Sequence, residues 1–182
     1  MAEPGRYRAL NVKIHFMLTS HELFGFMSPA LALEILAYAH ESDKPLYHTA
    51  LSAVAEARKV RPVYLERQPR AQQHATVIAT VTRPKLDLVA GSLIRAWLLK
   101  KYKGMLVDFL DALAIPHKDG VVETLPASMD DAKLKVAVEA LLAKYPPEAI
   151  AVYLHAFNEM NEVEWSNLKT MLDADKRLQL GG

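Results

Sequence analysis

Three segments of the sequence share one plan, in which two stretches with helical spacing are joined by a short link. Apolar residues recur three and four positions apart in each stretch, which is the spacing of one face of an α-helix. The links SDKP, YKG and YPP contain the proline, glycine and polar residues that interrupt helices. The segments cover about residues 29–60, 85–115 and 130–160. This plan predicts three αα-hairpins, arranged as a multi-helix bundle or as a short helical solenoid.

The predicted fold class is therefore all-α, with one short β-hairpin or strand as an alternative at two ambiguous places. Apolar and polar residues alternate through 11–18, as they would in a strand. Residues 74–82 are rich in β-branched side chains, yet the prolines on either side also suit a helix from Arg70 to Thr82. Strand and helix both stay open at these places.

Individual residues mark where several helices begin and end. Ser28 before Pro29 predicts a helix start, because a serine side chain caps the first turn and the φ angle of proline suits it. Ser128 and Asp131 have the spacing of a capping box, which predicts Ser128 as the N-cap of the next hairpin. Lysines before Gly104 indicate a helix C-terminus, because cations there complement the helix dipole.

The composition is that of one compact domain spanning 1–182, with points of subdivision near 83–85 or 120–128. The absence of cysteine excludes disulfide scaffolds, thiolate zinc sites and cysteine nucleophiles, and it fits a reducing cytoplasm. No run approaches the roughly 20 apolar residues of a membrane span, and the N-terminus does not resemble a signal peptide. A cytoplasmic protein without a membrane partner is expected.

Charge is divided unevenly between the two halves of the sequence. Residues 1–103 carry 15 Lys or Arg against 8 Asp or Glu, a net charge of +7. Residues 104–182 carry 7 against 13, a net charge of −6. An electrically polar molecule of this kind can pair head to tail with another copy or present its basic half to an anionic partner. Self-association is therefore one prediction.

The basic segment 58–85 contains Glu66 as its only acidic residue. Its candidates for binding an anion or a partner are Arg58, Lys59, Arg61, Arg67 and Arg70. Clustered cations bind phosphates, and an interleaved aromatic ring such as Tyr64 can stack on bases. The isoelectric point of about 8.0 is below the value of about 9 typical of nucleic-acid-binding domains. Three alternatives remain for what this segment contacts: an acidic protein surface, nucleic acid or only solvent.

Four residues at the end of the middle hairpin form a candidate metal or acid/base site: Asp108, Asp111, His117 and Asp119. The first two carboxylates lie three positions apart on one helix face, and the following loop can bring an imidazole and a third carboxylate back to them. Such a set suits a divalent metal ion or an acid/base pair. The alternative interpretation is a solvated stripe of aspartates followed by a turn at Asp119 and Gly120.

A second candidate comprises Glu148, His155 and Glu159, which project onto one face of the last hairpin. A histidine and a glutamate four positions apart can bind a metal ion or exchange a proton. That face lies opposite the apolar stripe of the same helix. A solvated acidic face is therefore the competing interpretation.

Common signatures of cofactor binding and catalysis are missing from the sequence. It contains no GxGxxG, GxxxxGK[ST], HExxH or GxSxG pattern, so no nucleotide cofactor and no common hydrolase site is recognisable. We therefore expect a helical protein-interaction or scaffold protein, whose partner is another protein or a second copy. One alternative is an enzyme that uses a divalent metal at the Asp/His cluster. The other is a regulator that binds nucleic acid through the basic segment.

Overall fold

The structure is a computed structural model that describes residues 17–161 and 165–181. Its ten α-helices are α1 (Ser20–Phe26), α2 (Pro29–Ser42), α3 (Lys44–Ala57), α4 (Pro62–Glu66), α5 (Arg70–Val81), α6 (Asp87–Lys101), α7 (Lys103–Ala112), α8 (Asp131–Leu142), α9 (Pro147–Asn161) and α10 (Ser166–Ala174). Two 3₁₀ helices cover Pro84–Leu86 and Lys176–Leu178. The all-α prediction is confirmed.

The ambiguous stretch 74–82 is helical, since it forms most of α5. Pro69 precedes this helix and Pro84 follows it, and its buried residues His74, Val77 and Val81 recur at helical spacing. The strand alternative was wrong here because the β-branched residues pack against helices instead of pairing with a strand. The other ambiguous stretch lies mostly outside the described residues. Within the described ranges the one β-type pairing is an isolated bridge between Lys118 and Val121.

Capping residues define two of the predicted helix starts. The Ser28 hydroxyl accepts a hydrogen bond from the Leu31 amide at 3.2 Å, as predicted for the N-cap of α2. The predicted cap at Ser128 is wrong. Asp130 caps α8 and accepts from the Lys133 amide at 3.0 Å. Aspartate and serine cap about equally well, so the residue directly before the first helical turn takes the role.

The helices form a bundle around α6. The predicted hairpins are present as the packed pairs α2 with α3, α6 with α7 and α8 with α9. In a solenoid each pair would contact only its neighbours, whereas α6 also packs against α1, α2, α3, α5 and α9. Its inner side chains are at most 1% exposed, and they are Ala90, Leu93, Ile94, Trp97 and Leu98.

Helix α9 is enclosed on all sides, and every residue from 149 to 158 is buried. It packs against α6, α8, α10 and the 3₁₀ helix near the C-terminus. Phe109 of α7 lies edge to face with Tyr153 and Phe157 of α9, each at 5.5 Å between ring centroids. Such aromatic pairs add to the burial of apolar area. The second half of the chain is therefore organised around this helix.

One continuous cluster of buried side chains extends from Leu23 in α1 to Leu178 near the C-terminus. It includes residues on both sides of the two points of subdivision considered above. The single-domain organisation stays a prediction that this cluster supports. Among the described helices, none combines the length and the apolar character needed to cross a membrane.

Candidate functional site

The basic segment forms the wall of a groove of about 1010 Å³ between the end of α3, the short helix α4 and α5. Its lining residues are Arg58, Val60, Arg61, Val63, Tyr64, Leu65, Arg67, Gln68, Pro69, Gln72 and Thr76. Three of the five predicted cations, Arg58, Arg61 and Arg67, thus line one groove. Lys59 is exposed beside them, and Arg70 lines a neighbouring cleft.

The backbone at the end of α3 directs the chain into this groove. Lys59 adopts a left-handed conformation with a φ of 57°, and the Val60 amide donates to the Ala55 carbonyl at 2.9 Å. This is the hydrogen bond of a Schellman motif, which ends a helix and reverses the chain. Pro62 then begins α4 after only one more residue, because the φ angle of proline suits a first helical turn.

The five candidate cations of the basic segment form no ion pair with any described carboxylate. The contacts of two of them are with uncharged groups. Arg58 reaches the Thr80 hydroxyl at 3.5 Å, and Arg70 Nη1 lies 2.8 Å from His40 Nδ1. No ion pair among the described residues therefore neutralises these cations, and an anion can still be attracted to them.

Four carboxylates of the acidic half, by contrast, form ion pairs with cations of the same chain. Lys144 contacts Asp108 at 2.6 Å and Lys103 contacts Asp119 at 2.8 Å. Arg177 binds both Glu139 and Asp175 at 2.6 Å. The hydrogen bond from Lys144, with a second from Tyr145, lowers the pKa of Asp108. The five candidate cations of the basic segment thus lack the ion pairs that these four carboxylates have.

Apolar groups accompany the arginines in the groove. Tyr64 is 60% exposed and Val63 is 44% exposed, while Leu65 beneath them is buried. Exposed large apolar side chains next to unpaired arginines are typical of protein contact surfaces, since tyrosine and arginine are enriched in binding hot spots. The groove therefore offers both charge and apolar area to a ligand.

A buried hydrogen-bond network fixes the link between α4 and α5. The Tyr47 hydroxyl donates to Gln73 Oε1 at 3.0 Å, and Gln73 Nε2 donates to the carbonyls of Glu66 and Gln68 at 2.9 and 3.1 Å. Gln73 thereby holds the backbone on both sides of Arg67. The sequence analysis did not identify this network, because no local pattern relates Tyr47 to a glutamine 26 residues away.

The predicted Asp/His cluster is only partly assembled. His117 Nε2 lies 3.0 Å from Asp111, and the Gly120 amide donates to His117 Nδ1 at 3.1 Å. Because Nδ1 accepts a hydrogen bond, the neutral ring carries its proton on Nε2 and donates to Asp111. Both ring nitrogens are therefore occupied, and none is left for a substrate or a metal ion.

The other two members of that cluster face different partners. Asp108 binds Lys144 and Tyr145 of the α8 end, and Asp119 binds Lys103. Asp119 also forms a tight turn with Gly120, since their φ angles are 55° and 84° and the turn joins the bridged residues on either side. Among the residues that the structure covers, no group of three or more His, Asp or Glu is arranged to hold a metal ion.

The second candidate cluster has a buried member instead of a fully solvated face. His155 is 8% exposed, and burial lowers its pKa to about 4. Glu148 accepts hydrogen bonds from the amide and hydroxyl of Ser28, so it joins the starts of α9 and α2. The interpretation of this face as solvated was wrong at His155, because α10 and the C-terminal 3₁₀ helix pack against α9. The Glu159 side chain is outside the described part of the protein.

A smaller cleft of about 420 Å³ lies on the other side of the link between α4 and α5. Its lining residues are His40, Lys44, Tyr47, His48, Leu51, Glu66, Arg70 and Gln73. These residues come from α2, α3, α4 and α5, so no spacing in the sequence connects them. Of the sequence-predicted cations, Arg70 alone lines this cleft.

Comparison of the chain with protein-family models, with curated proteins and with solved structures gave no match. A function can therefore be argued only from the geometry. Two features of that geometry are suited to ligand binding, namely the arginine-lined groove and the histidine-lined cleft. The groove is the larger and contains most of the cations predicted from the sequence.

Proposed function

We propose that the protein is a helical interaction module that holds an acidic, partly apolar segment of another protein in the groove between α3, α4 and α5. The observation that carries this proposal is the set of three arginines that line the groove, Arg58, Arg61 and Arg67, none of which has a carboxylate partner among the described residues. An acidic segment would supply the missing negative charge. Complementary charge of this kind accelerates encounter and orients the partner.

The mixed lining supports a protein ligand over nucleic acid. Val60, Val63 and Pro69 provide apolar surface on which a side chain of the partner can pack. Tyr64 is the one aromatic residue of the lining, whereas single-stranded nucleic acid is usually held by several stacking rings. The formal net charge of +1 is also small for a protein that binds phosphate chains.

The ion pairs of the acidic half support a different protein as partner over a second copy. Asp108, Asp119, Glu139 and Asp175 are already bound to cations of the same chain. A second copy could offer these four carboxylates to the groove only by giving up these contacts, which leaves exposed residues such as Glu123 for charge pairing. Self-association through charge is therefore the less favoured form of the proposal.

The test is a binding measurement with a fluorescent peptide in which glutamate and leucine alternate, compared with single-stranded RNA of equal charge. We expect the peptide to bind more tightly, with an affinity that falls as salt is added. Arg61→Ala combined with Arg67→Ala should weaken peptide binding by about tenfold, since two exposed ion pairs worth up to about 1 kcal/mol each are lost. Arg83→Ala combined with Lys85→Ala removes the same charge outside the groove and should have little effect.

Three results would count against the proposal. Tighter binding of RNA than of the peptide would favour the nucleic-acid alternative. Equal losses in the groove variant and the control variant would show that only overall charge matters. A dimer that forms without any peptide, and that dissociates in the groove variant, would identify a second copy as the occupant.

A further inference from the structure

We infer that the cleft lined by His40, Lys44, His48 and Arg70 is a binding site for a phosphomonoester group. The site lies across the α4–α5 link from the groove and goes beyond the proposed function, because it requires no protein segment in the groove. It was not apparent in the sequence, where its residues are dispersed over 31 positions from 40 to 70. Its chemistry follows from how Arg70 is held.

Arg70 is oriented by an uncharged group, so no described carboxylate neutralises its positive charge. A guanidinium has no acceptor, so the 2.8 Å contact between Arg70 Nη1 and His40 Nδ1 requires the imidazole nitrogen to accept. His40 is therefore neutral and carries its ring proton on Nε2. Burial and the charge of Arg70 both lower the pKa of His40, in agreement with this assignment. The guanidinium is positioned without a carboxylate that would neutralise it.

The position of His40 is itself fixed by aromatic packing. Its ring lies edge to face with Tyr47 at 4.9 Å between centroids, and the His74 ring is 5.7 Å from the same tyrosine. Tyr47 is anchored from beneath by its hydrogen bond to Gln73. His74 is buried and its Nε2 has no hydrogen-bond partner among the described residues. Burial and Arg70 also lower its pKa, so it adds no positive charge beneath Arg70 at neutral pH.

The charges around the cleft leave an excess of cations. Lys44 and Arg70 form no ion pair with a described carboxylate, and Glu66 is the single carboxylate of the lining. Asp43, next to Lys44, uses its side chain to accept from the Leu46 amide at 3.2 Å. Glu41, which follows His40, is exposed and forms no ion pair with Lys44 or Arg70. An oxyanion would thus meet two unpaired cations.

The donors suit a phosphomonoester better than a carboxylate. The guanidinium offers a planar fork, Lys44 offers an ammonium group, and the rings of His40 and His48 offer further N–H donors. A phosphomonoester has three acceptor oxygens and a charge of about −1.5 to −2 at neutral pH. A carboxylate has two oxygens and a single charge, so it would leave more of these donors unused. The volume of about 420 Å³ can hold such a group with part of what it is attached to.

The test follows the ring signals of His40 and His48 by NMR while inorganic phosphate, and then phenyl phosphate, is added at constant ionic strength. We expect saturable shifts that sodium chloride alone does not produce. Arg70→Gln should weaken phenyl phosphate binding by about tenfold, since a bidentate charged contact is lost. Arg67→Gln is the matched control, because it removes an identical charge three residues away, on the groove side of the link, and should leave this binding unchanged.

A phosphoserine peptide and its unphosphorylated form then distinguish the two sources of the group. Tighter binding of the phosphopeptide than of phenyl phosphate assigns the site to a modified partner protein, and the reverse order assigns it to a small phosphate ester. Shifts that do not saturate, or equal losses in the Arg70 and Arg67 variants, would overturn the inference. The glutamate–leucine peptide tests the groove, and phenyl phosphate tests the cleft. A negative result with one ligand therefore leaves the proposal for the other site unaffected.

Discussion

His117 uses both ring nitrogens within the protein, because Nε2 binds Asp111 and Nδ1 accepts a hydrogen bond from the Gly120 amide. The geometry resembles that of an orienting carboxylate and a catalytic imidazole, yet no ring nitrogen remains to take a proton from a substrate. The pair instead connects α7 to the turn that follows it. This bears directly on the metal-dependent alternative derived from the sequence.

We expect added Zn²⁺, Mn²⁺ or Mg²⁺ to leave the melting temperature of untagged protein unchanged. A divalent ion bound to the folded state at about 100 times its dissociation constant would raise the free energy of unfolding by about 2.7 kcal/mol, which calorimetry detects easily. The reason for expecting no change is that Asp108 and Asp119 are held by lysines away from Asp111. A saturable rise that disappears in Asp111→Asn would contradict this prediction and restore the enzyme hypothesis.

The buried His155 should make the protein less stable in mild acid. Its pKa is about 4 in the folded protein against an ordinary value of 6.5. The unfolded chain therefore binds a proton as pH falls below 6.5, whereas the folded chain does so only near 4. Burial of His155 therefore costs little above pH 6.5, and it lowers the free energy of unfolding progressively as pH falls from 6.5 to 4. The expected loss between pH 7 and pH 5 is about 2 kcal/mol from this residue alone.

Urea unfolding of the wild type and of His155→Met at both pH values measures this contribution. His40 and His74 also have lowered pKa values, so the wild type should lose more than His155 explains. The difference between the two proteins isolates the buried residue, because both retain the other histidines. A pH dependence that is the same in the variant and the wild type would show that His155 is not the group responsible.

Tyr47→Phe should destabilise the protein by about 1–3 kcal/mol, as expected when a buried acceptor loses its only donor. The acceptor is Gln73 Oε1, whose hydrogen bond from Tyr47 is 3.0 Å long. Tyr64→Phe is the control, because the Tyr64 side chain is 60% exposed. Chemical denaturation of both variants gives the comparison. Losses of equal size would mean that the network around Gln73 does not hold the α4–α5 link.

Local sequence patterns predicted a helix or its start correctly where the pattern fits only one local structure. Ser28 before Pro29 fits both capping and first-turn geometry, and the structure places a cap there. Ser128 failed because Asp130, an equally good cap, lies closer to the first turn. The stretch 74–82 could not be assigned locally, since its β-branched residues suit a strand or a packed helix and only the neighbouring helices decide.

The candidate sites show where sequence information ends. The basic segment was found because its cations are close together along the chain, so a local count detects them. Asp108 binds Lys144, which is 36 residues away, and nothing near Asp108 distinguishes it from a metal ligand. His155 lay on the apparently polar side of its helix, and only the packing of α10 reveals that this side is covered. The cleft around Arg70 depends on four helices meeting, which no spacing predicts.

The hydrogen bonds from Gln73 to the backbone of Glu66 and Gln68 have a consequence for the kinetics of association. The backbone of the α4–α5 link is already ordered in the free protein, so a ligand does not have to fold it on arrival. Encounter between charges should then limit the rate, without a slower rearrangement afterwards. The association rate would rise in proportion to ligand concentration, and selectivity would come mainly from how long the complex lasts.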